Sequence, residues 1–146
     1  MKLQHILLIS AVALMAAQCS SEKNMVKEVA YGYLDAMGNY RIDSARRYAT
    51  PQTQKGTIDY MLENIMPDVD SSYLERNTPA KITIKKVEMI SDSVAKVYYH
   101  KSTPIKELDN TKILRKRNGK WKVHEVIVGV PYFDQMHKLA KDKTNQ

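Results

Sequence analysis

The dipeptide Asn118-Gly119 constrains this chain more than any other feature of its sequence. It stands between residues 111–117 and 120–128, two runs rich in apolar and basic side chains. A tight two-residue turn needs positive φ at both central positions, and Asn-Gly meets that need at little steric cost, so the two runs are predicted to fold back as an antiparallel hairpin. The loop length then sets the register: Arg117 faces Lys120, Lys116 faces Trp121, Arg115 faces Lys122 and Leu114 faces Val123. Side chains alternate across a sheet, so Leu114, Trp121, Val123 and Ile127 share the predicted core face, while Arg115, Arg117, Lys120, Lys122 and His124 share the other.

Two further strands precede the hairpin. Residues 94–101 place Ala95, Val97 and Tyr99 on one face and Lys96, Tyr98 and His100 on the other. Residues 81–90 alternate at Ile82 and Ile84, then slip to Val87 and Met89, which predicts a bulge near Lys85-Lys86. Asp92-Ser93 is the turn between them. The first half of the chain follows a different period. Met25, Val26, Val29, Ala30, Tyr33, Leu34 and Met37 recur at spacings of three and four, predicting a helix over 25–37 that Gly38-Asn39 ends. Residues 43–48 are a short helical piece. Thr50 is placed to cap the next helix with Pro51 at its first position, and Ile58, Met61, Leu62, Ile65 and Met66 form its stripe before Pro67 closes it. Residues 68–79 are polar without a period and are predicted as a loop. Phe133, Met136 and Ala140 are spaced for a last helix over 131–141. Helices first and an antiparallel sheet after them give an α+β fold.

The extreme N-terminus carries its own pattern. Lys2 precedes an apolar run over residues 6–17, broken only by Ser10 and ending in the small residues Ala16-Ala17 shortly before Cys19. This is a secretory signal, and it is too short for a permanent span, which takes about 20 apolar residues. The stretch Leu14-Met15-Ala16-Ala17-Gln18-Cys19 resembles a bacterial lipoprotein signal, in which the cysteine thiol is acylated and becomes the new N-terminus. It departs from that pattern at Gln18, where Gly, Ala or Ser is usual. The alternative is a free thiol in a plain secreted protein. With one cysteine in the chain, a disulfide framework and a zinc site on paired thiols are both excluded. The expected division is a lipoprotein signal peptide over 1–18, a lipidated tether over 19–24, the folded domain over 25–130 and a C-terminal helical tail over 131–146. By resemblance, Ser20 after the cysteine in place of a retention Asp implies the outer membrane, so the expected location is the cell envelope.

The residues Val29-Ala30-Tyr31-Gly32-Tyr33-Leu34-Asp35-Ala36-Met37-Gly38-Asn39-Tyr40, then Asp92-Ser93-Val94-Ala95-Lys96-Val97-Tyr98-Tyr99, and the hairpin Leu114-Arg115-Lys116-Arg117-Asn118-Gly119-Lys120-Trp121-Lys122-Val123 are similar to nuclear transport factor 2-like domains of small bacterial lipoproteins, some of them lumazine-binding-like. The resemblance implies a curved antiparallel sheet wrapped around helices, a cone whose open end holds a ligand. It supplies no catalytic residues. The segment after Val128 is extra to the pattern and is placed to cover the mouth of the cone.

Candidate chemistry follows from these placements. A pocket inside the cone would be lined by Tyr33, Tyr60, Tyr99, Trp121 and Glu125, with Glu125 as a carboxylate base and a tyrosine as oxyanion donor. The competing expectation is that the tyrosines fill the core and Glu125 pairs with Lys112, its cross-strand neighbour. No catalytic residue, cofactor or metal is assigned: His100, His124 and His137 lie on separate elements without ligand spacing, and no phosphate-binding glycine loop is present. Arg115, Arg117, Lys120 and Lys122 form a ridge of like charges facing one another across a strand pair, which costs about 0.2–1 kcal/mol per pair. Either nearby acids such as Glu88 or Glu107 relieve it, or an anionic partner does; a plain solvated face is the bland alternative. Nucleic acid is not an expected partner of the +7 chain, because no aromatic side chains interleave with the ridge. The leading expectation is non-enzymatic binding of a small ligand or an envelope protein by a lipid-anchored domain. The alternatives are an enzyme or small-molecule carrier using the cone, and a structural module that forms a homodimer through the outer sheet face, where Val126 and Val128 lie.

Overall fold

The apolar stripe of the first half becomes one long helix, α1 (Lys2–Gly38), which lies along the inner face of the sheet. The computed structural model describes residues 2–125, and along α1 the side chains from Ser20 onward. Val26, Ala30, Tyr33, Leu34 and Ala36 are buried on the side that meets the strands. Residues 20–24, expected as a tether, continue the helix. Glu22 explains why: its carboxylate is fastened to the sheet by Lys116 Nζ at 2.7 Å and Trp121 Nε1 at 2.6 Å. The division points at 18 and 24 therefore fall within one continuous element.

The predicted helix stop is realised at Gly38, where a Cβ would come within 3.1 Å of Ala80 Cβ. Asn39 then ties the helix end to the first strand. Its side-chain amide donates to the Ala80 carbonyl at 3.2 Å, and its carbonyl oxygen accepts from the Ala80 amide at 2.8 Å. Asn39→Ala is expected to cost about 1–2 kcal/mol, read as a lower urea midpoint with an unchanged slope.

A 3-10 helix (Ile42–Tyr48) follows, then α2 (Pro51–Thr53), a π-turn (Gln54–Asp59) and α3 (Tyr60–Asn64). Thr50 caps α2 as predicted, accepting from the Thr53 amide at 3.3 Å. The single helix expected up to Pro67 is thus broken by a π-turn, and Pro67 sits inside a short 3-10 turn (Met66–Asp68). Ile58 is fully buried, and Met61, Leu62 and Met66 pack against the core. The loop expected over 68–79 contains another helix, α4 (Ser71–Asn77). It buries only Asn77, so it carries no apolar stripe to reveal it, while its Asp70 cap accepts from the Ser72 amide at 2.8 Å.

The strands β1 (Lys81–Ser91), β2 (Val94–Ser102), β3 (Glu107–Arg117) and β4 (Lys120–Val123) form one antiparallel sheet in the order β1-β2-β3-β4. The bulge falls between Ile84 and Lys86, as predicted. Asn118 and Gly119 have φ of 51° and 74°, and all four expected cross-strand pairs of the hairpin are present. β3 begins at Glu107, earlier than expected. His124 and Glu125 extend the hairpin beyond β4, the His124 amide donating to the Ile113 carbonyl at 2.8 Å. Val126, Ile127, Val128, His137 and the tail over 131–146 lie outside the described residues. Helices followed by a four-stranded antiparallel sheet make the fold α+β, with Tyr33, Ile42, Ile58, Val97, Leu114, Trp121 and Val123 buried between the layers.

Candidate functional site

The inner face of β3 carries two lysines, Lys112 and Lys116, toward the core layer. Lys112 stands opposite Val97, next to the buried Leu114 column, and the hairpin register carried past Val123 brings Glu125 beside it. Lys112 Nζ forms an ion pair with Glu125 Oε1. Tyr33, projecting from α1, donates its hydroxyl to Glu125 Oε2 at 3.0 Å. The Glu125 amide donates to Thr53 Oγ1 at 2.8 Å, and Thr53 in turn donates to the Val123 carbonyl at 3.2 Å, so α2 clamps the end of the hairpin.

This is the cross-strand pairing expected as the competing placement of Glu125, with the Tyr33 hydroxyl added. Burial holds the Lys112 ammonium down at about 8, while the carboxylate it touches acts in the opposite sense. Burial pushes the Tyr33 hydroxyl above its ordinary value, with Tyr99 reinforcing the effect, and burial raises Tyr99 as well. Both carboxylate oxygens of Glu125 are therefore engaged, one by a cation and one by a hydroxyl.

The other predicted pocket residues are spread out. Trp121 lies nearer the hairpin turn, buried, bonded to Glu22 and with Lys116 Nζ 5.8 Å from its ring centroid. Lys116 and, second, Trp121 hold the Glu22 carboxyl below the usual carboxylate range. Tyr60 is half-buried at the start of α3. Two of the surface cavities formed by described residues bear on this. One, of about 370 Å³, lies between α1 and the 3-10 helix, against Tyr31, Gly32, Asp35, Arg41, Arg47 and Tyr48. The other, of about 450 Å³, is bordered by Lys85, Tyr98, Tyr99, Asp109, Asn110 and Thr111. Tyr99 is the one predicted pocket residue that borders either of them.

The basic ridge is formed as the register requires. Arg115 faces Lys122 and Arg117 faces Lys120 on the outer face. Glu88 is bonded instead to Tyr98 at 3.1 Å and Lys86 at 3.4 Å, and Glu107 lies at the opposite end of the sheet beside Ser102. Among the described residues no acid forms an ion pair with Arg115, Arg117, Lys120 or Lys122. Lys122 Nζ donates to the Arg47 carbonyl. His124 Nδ1 is 3.2 Å from Thr50 Oγ1, and burial, followed by Arg115 and Arg117, lowers its imidazole. His100 Nδ1 meets Asp109 Oδ1 at 3.0 Å. Among the described residues no three His, Cys, Asp or Glu side chains are grouped to hold a metal ion, and no helix is long and apolar enough to cross a membrane. Cys19 is in α1, and its side chain is outside the described ones.

The sequence register already placed Lys112 and Lys116 on the core face, a signal that buried cations need partners. Glu22, assigned to a tether, gave no such signal. Among solved structures, the chain is similar to an NTF-2-like protein of unknown function from Shewanella oneidensis MR-1, at a TM-score of 0.49 and 17% identity, covering 68% of this chain and 92% of that one. No family model matches, and no curated protein is matched. The helices packed on an antiparallel sheet are consistent with the nuclear transport factor 2-like resemblance seen in the sequence.

Proposed function

We propose that this chain is a lipid-anchored domain of the cell envelope, held at the outer membrane, which binds a partner and performs no catalysis. The observation that carries the proposal is the segment around Cys19: a positive start, an apolar run too short to span, and small residues leading to the only cysteine. Several acyl chains on one thiol anchor a protein stably, because each buried methylene contributes about 0.8 kcal/mol.

Cys19→Ala tests the anchor. The variant is expected to lose all incorporation of a labelled fatty acid and to leave the membrane pellet; full labelling of the variant would refute acylation at this thiol. One observation favours a second use of the cone interior, as a carrier or enzyme: the depressed Lys112 beside Glu125 and Tyr33. A small acid whose binding to the parent chain is abolished by Lys112→Met would move the assignment to that reading.

A further inference from the structure

The hairpin turn and the start of the folded domain are at the same end of the molecule. Glu22 is bonded to Lys116 and Trp121, the inner-face residues two positions either side of the Asn118-Gly119 turn. Cys19 precedes Glu22 by three residues on the same helix, a rise of about 4.5 Å. An anchor on Cys19 would therefore leave the fold close beside the β3–β4 turn, with no slack between them. The β1–β2 turn is at this end too, since the Lys116 amide donates to the Ser93 carbonyl at 2.9 Å.

The surface of that end is uneven in charge. Arg115, Arg117 and Lys120 are exposed on the hairpin, Lys122 is half-buried, and Lys23 is exposed on α1. Against them stand Asp92 in the neighbouring turn and Glu22, whose carboxylate is already spent on Lys116 and Trp121. Two large apolar side chains are exposed here as well, Ile90 just before the β1–β2 turn at 57% and Met25 on α1 at 39%. Like charges placed opposite one another cost stability in the free protein, and an anionic surface removes that cost.

The geometry points to this end of the domain as a docking face for an anionic phospholipid surface, with the β3–β4 hairpin laid on the headgroups of the membrane that holds the anchor. The inference rests on the proposed acylation at Cys19 for its location, and on charge for its chemistry. Acyl chains hold the protein to the bilayer but leave it free to swing. The basic hairpin fixes its attitude, turning the far end of the sheet, with the β2–β3 connection and the Asn39–Ala80 junction, away from the lipid.

The test uses the full chain carrying Cys19→Ala, mixed with vesicles of phosphatidylcholine alone or with one third phosphatidylglycerol. Comparing the two compositions cancels any purely apolar attachment of the N-terminus. Each basic residue near an anionic surface is worth about fivefold in partition, so Arg117→Gln/Lys120→Gln is expected to lower the preference for the anionic vesicles about thirtyfold. Raising the salt to 1 M, where the screening length falls to about 3 Å, is expected to abolish the preference in the parent. Neither side chain makes a contact that the fold depends on, and removing their repulsion leaves the thermal midpoint unchanged or raised; Arg115→Gln serves as the second variant. No preference in the parent, or the same preference in both variants, overturns the inference. Fatty-acid labelling of the unsubstituted chain separates the two ideas. Labelling without an anionic preference ends this inference and leaves the anchor; an anionic preference without labelling supports the docking face and ends the anchor.

Discussion

Trp121→Ala is expected to lower the stability of the domain by about 4 kcal/mol, because removing a buried indole loses its transfer free energy and leaves a cavity that the neighbours fill only in part. The side chain is 3% exposed on the inner face of β4. It does more than occupy volume. Its ring N–H donates to Glu22 Oε2 at 2.6 Å, and Lys116 Nζ lies 5.8 Å from the ring centroid. Removing it leaves Glu22 held by Lys116 alone and loosens α1 around residue 22. Trp121→Phe keeps most of the volume and loses only the N–H bond, so it is expected to cost about 1.5 kcal/mol. The measurement is thermal unfolding of the full chain, with a drop of roughly 10–20 °C for Ala and a few degrees for Phe. Amide exchange adds a local readout: residues 22–26 should lose protection in both variants, because both remove one of the two bonds that hold Glu22 to the sheet. An Ala variant melting within a few degrees of the parent would show that the hairpin and α1 are held together elsewhere.

Where local rules decide structure, the sequence alone was enough. Asn118-Gly119 specified a turn, the turn specified a register, and the register put Leu114, Trp121 and Val123 in the core and Arg115 opposite Lys122. The slip from Ile84 to Val87 located the bulge, and Thr50-Pro51 located a helix start. The failures have a common cause. α4 is held by its Asp70 cap and by contacts such as the edge-on meeting of Tyr73 with Tyr40, 6.3 Å between centroids, and buries no apolar stripe that a periodicity argument could detect. The π-turn at Gln54–Asp59 preserves the general helical spacing while changing its pitch, so the stripe looked continuous. Glu22 was hidden differently. A single acid among small polar residues reads as solvated, and only the long-range approach of Lys116 and Trp121 shows its use. Of the candidate interior residues, Tyr33 and Glu125 meet because the strand register and the helix stripe, each legible, happen to converge. The register itself places Trp121 nearer the turn, and only its partner there, Glu22, is encoded by no local pattern.

Glu125→Gln is expected to destabilise the domain by about 3 kcal/mol at pH 7, since it leaves the Lys112 ammonium buried without its counter-charge. Lys112 and Glu125 side chains are 17% and 27% exposed, so water compensates neither fully. Gln still offers the Tyr33 hydroxyl an acceptor, which confines the loss to the charge. Adding Lys112→Met removes the stranded cation, and the double variant should regain most of the lost stability. The pH dependence has a definite sign. Burial lowers Lys112 to about 8, below the value near 10.4 of an unfolded lysine, so between these values the unfolded chain binds a proton that the native chain has released. Stability therefore rises with pH from about 8 toward 10, with a smaller contribution of the same sign from Lys101, which burial also lowers. Above about 10 the trend reverses, because unfolded tyrosines ionise while the buried Tyr33 and Tyr99 keep their protons. The cost of Glu125→Gln should be smaller at pH 9.5 than at pH 7, because above about 8 Lys112 is neutral and has no charge to strand. Urea midpoints of the parent, Glu125→Gln and the double variant at pH 7 and pH 9.5 measure all of this. An equal cost of Glu125→Gln at the two pH values would mean that the charge of Lys112 plays no part in the loss.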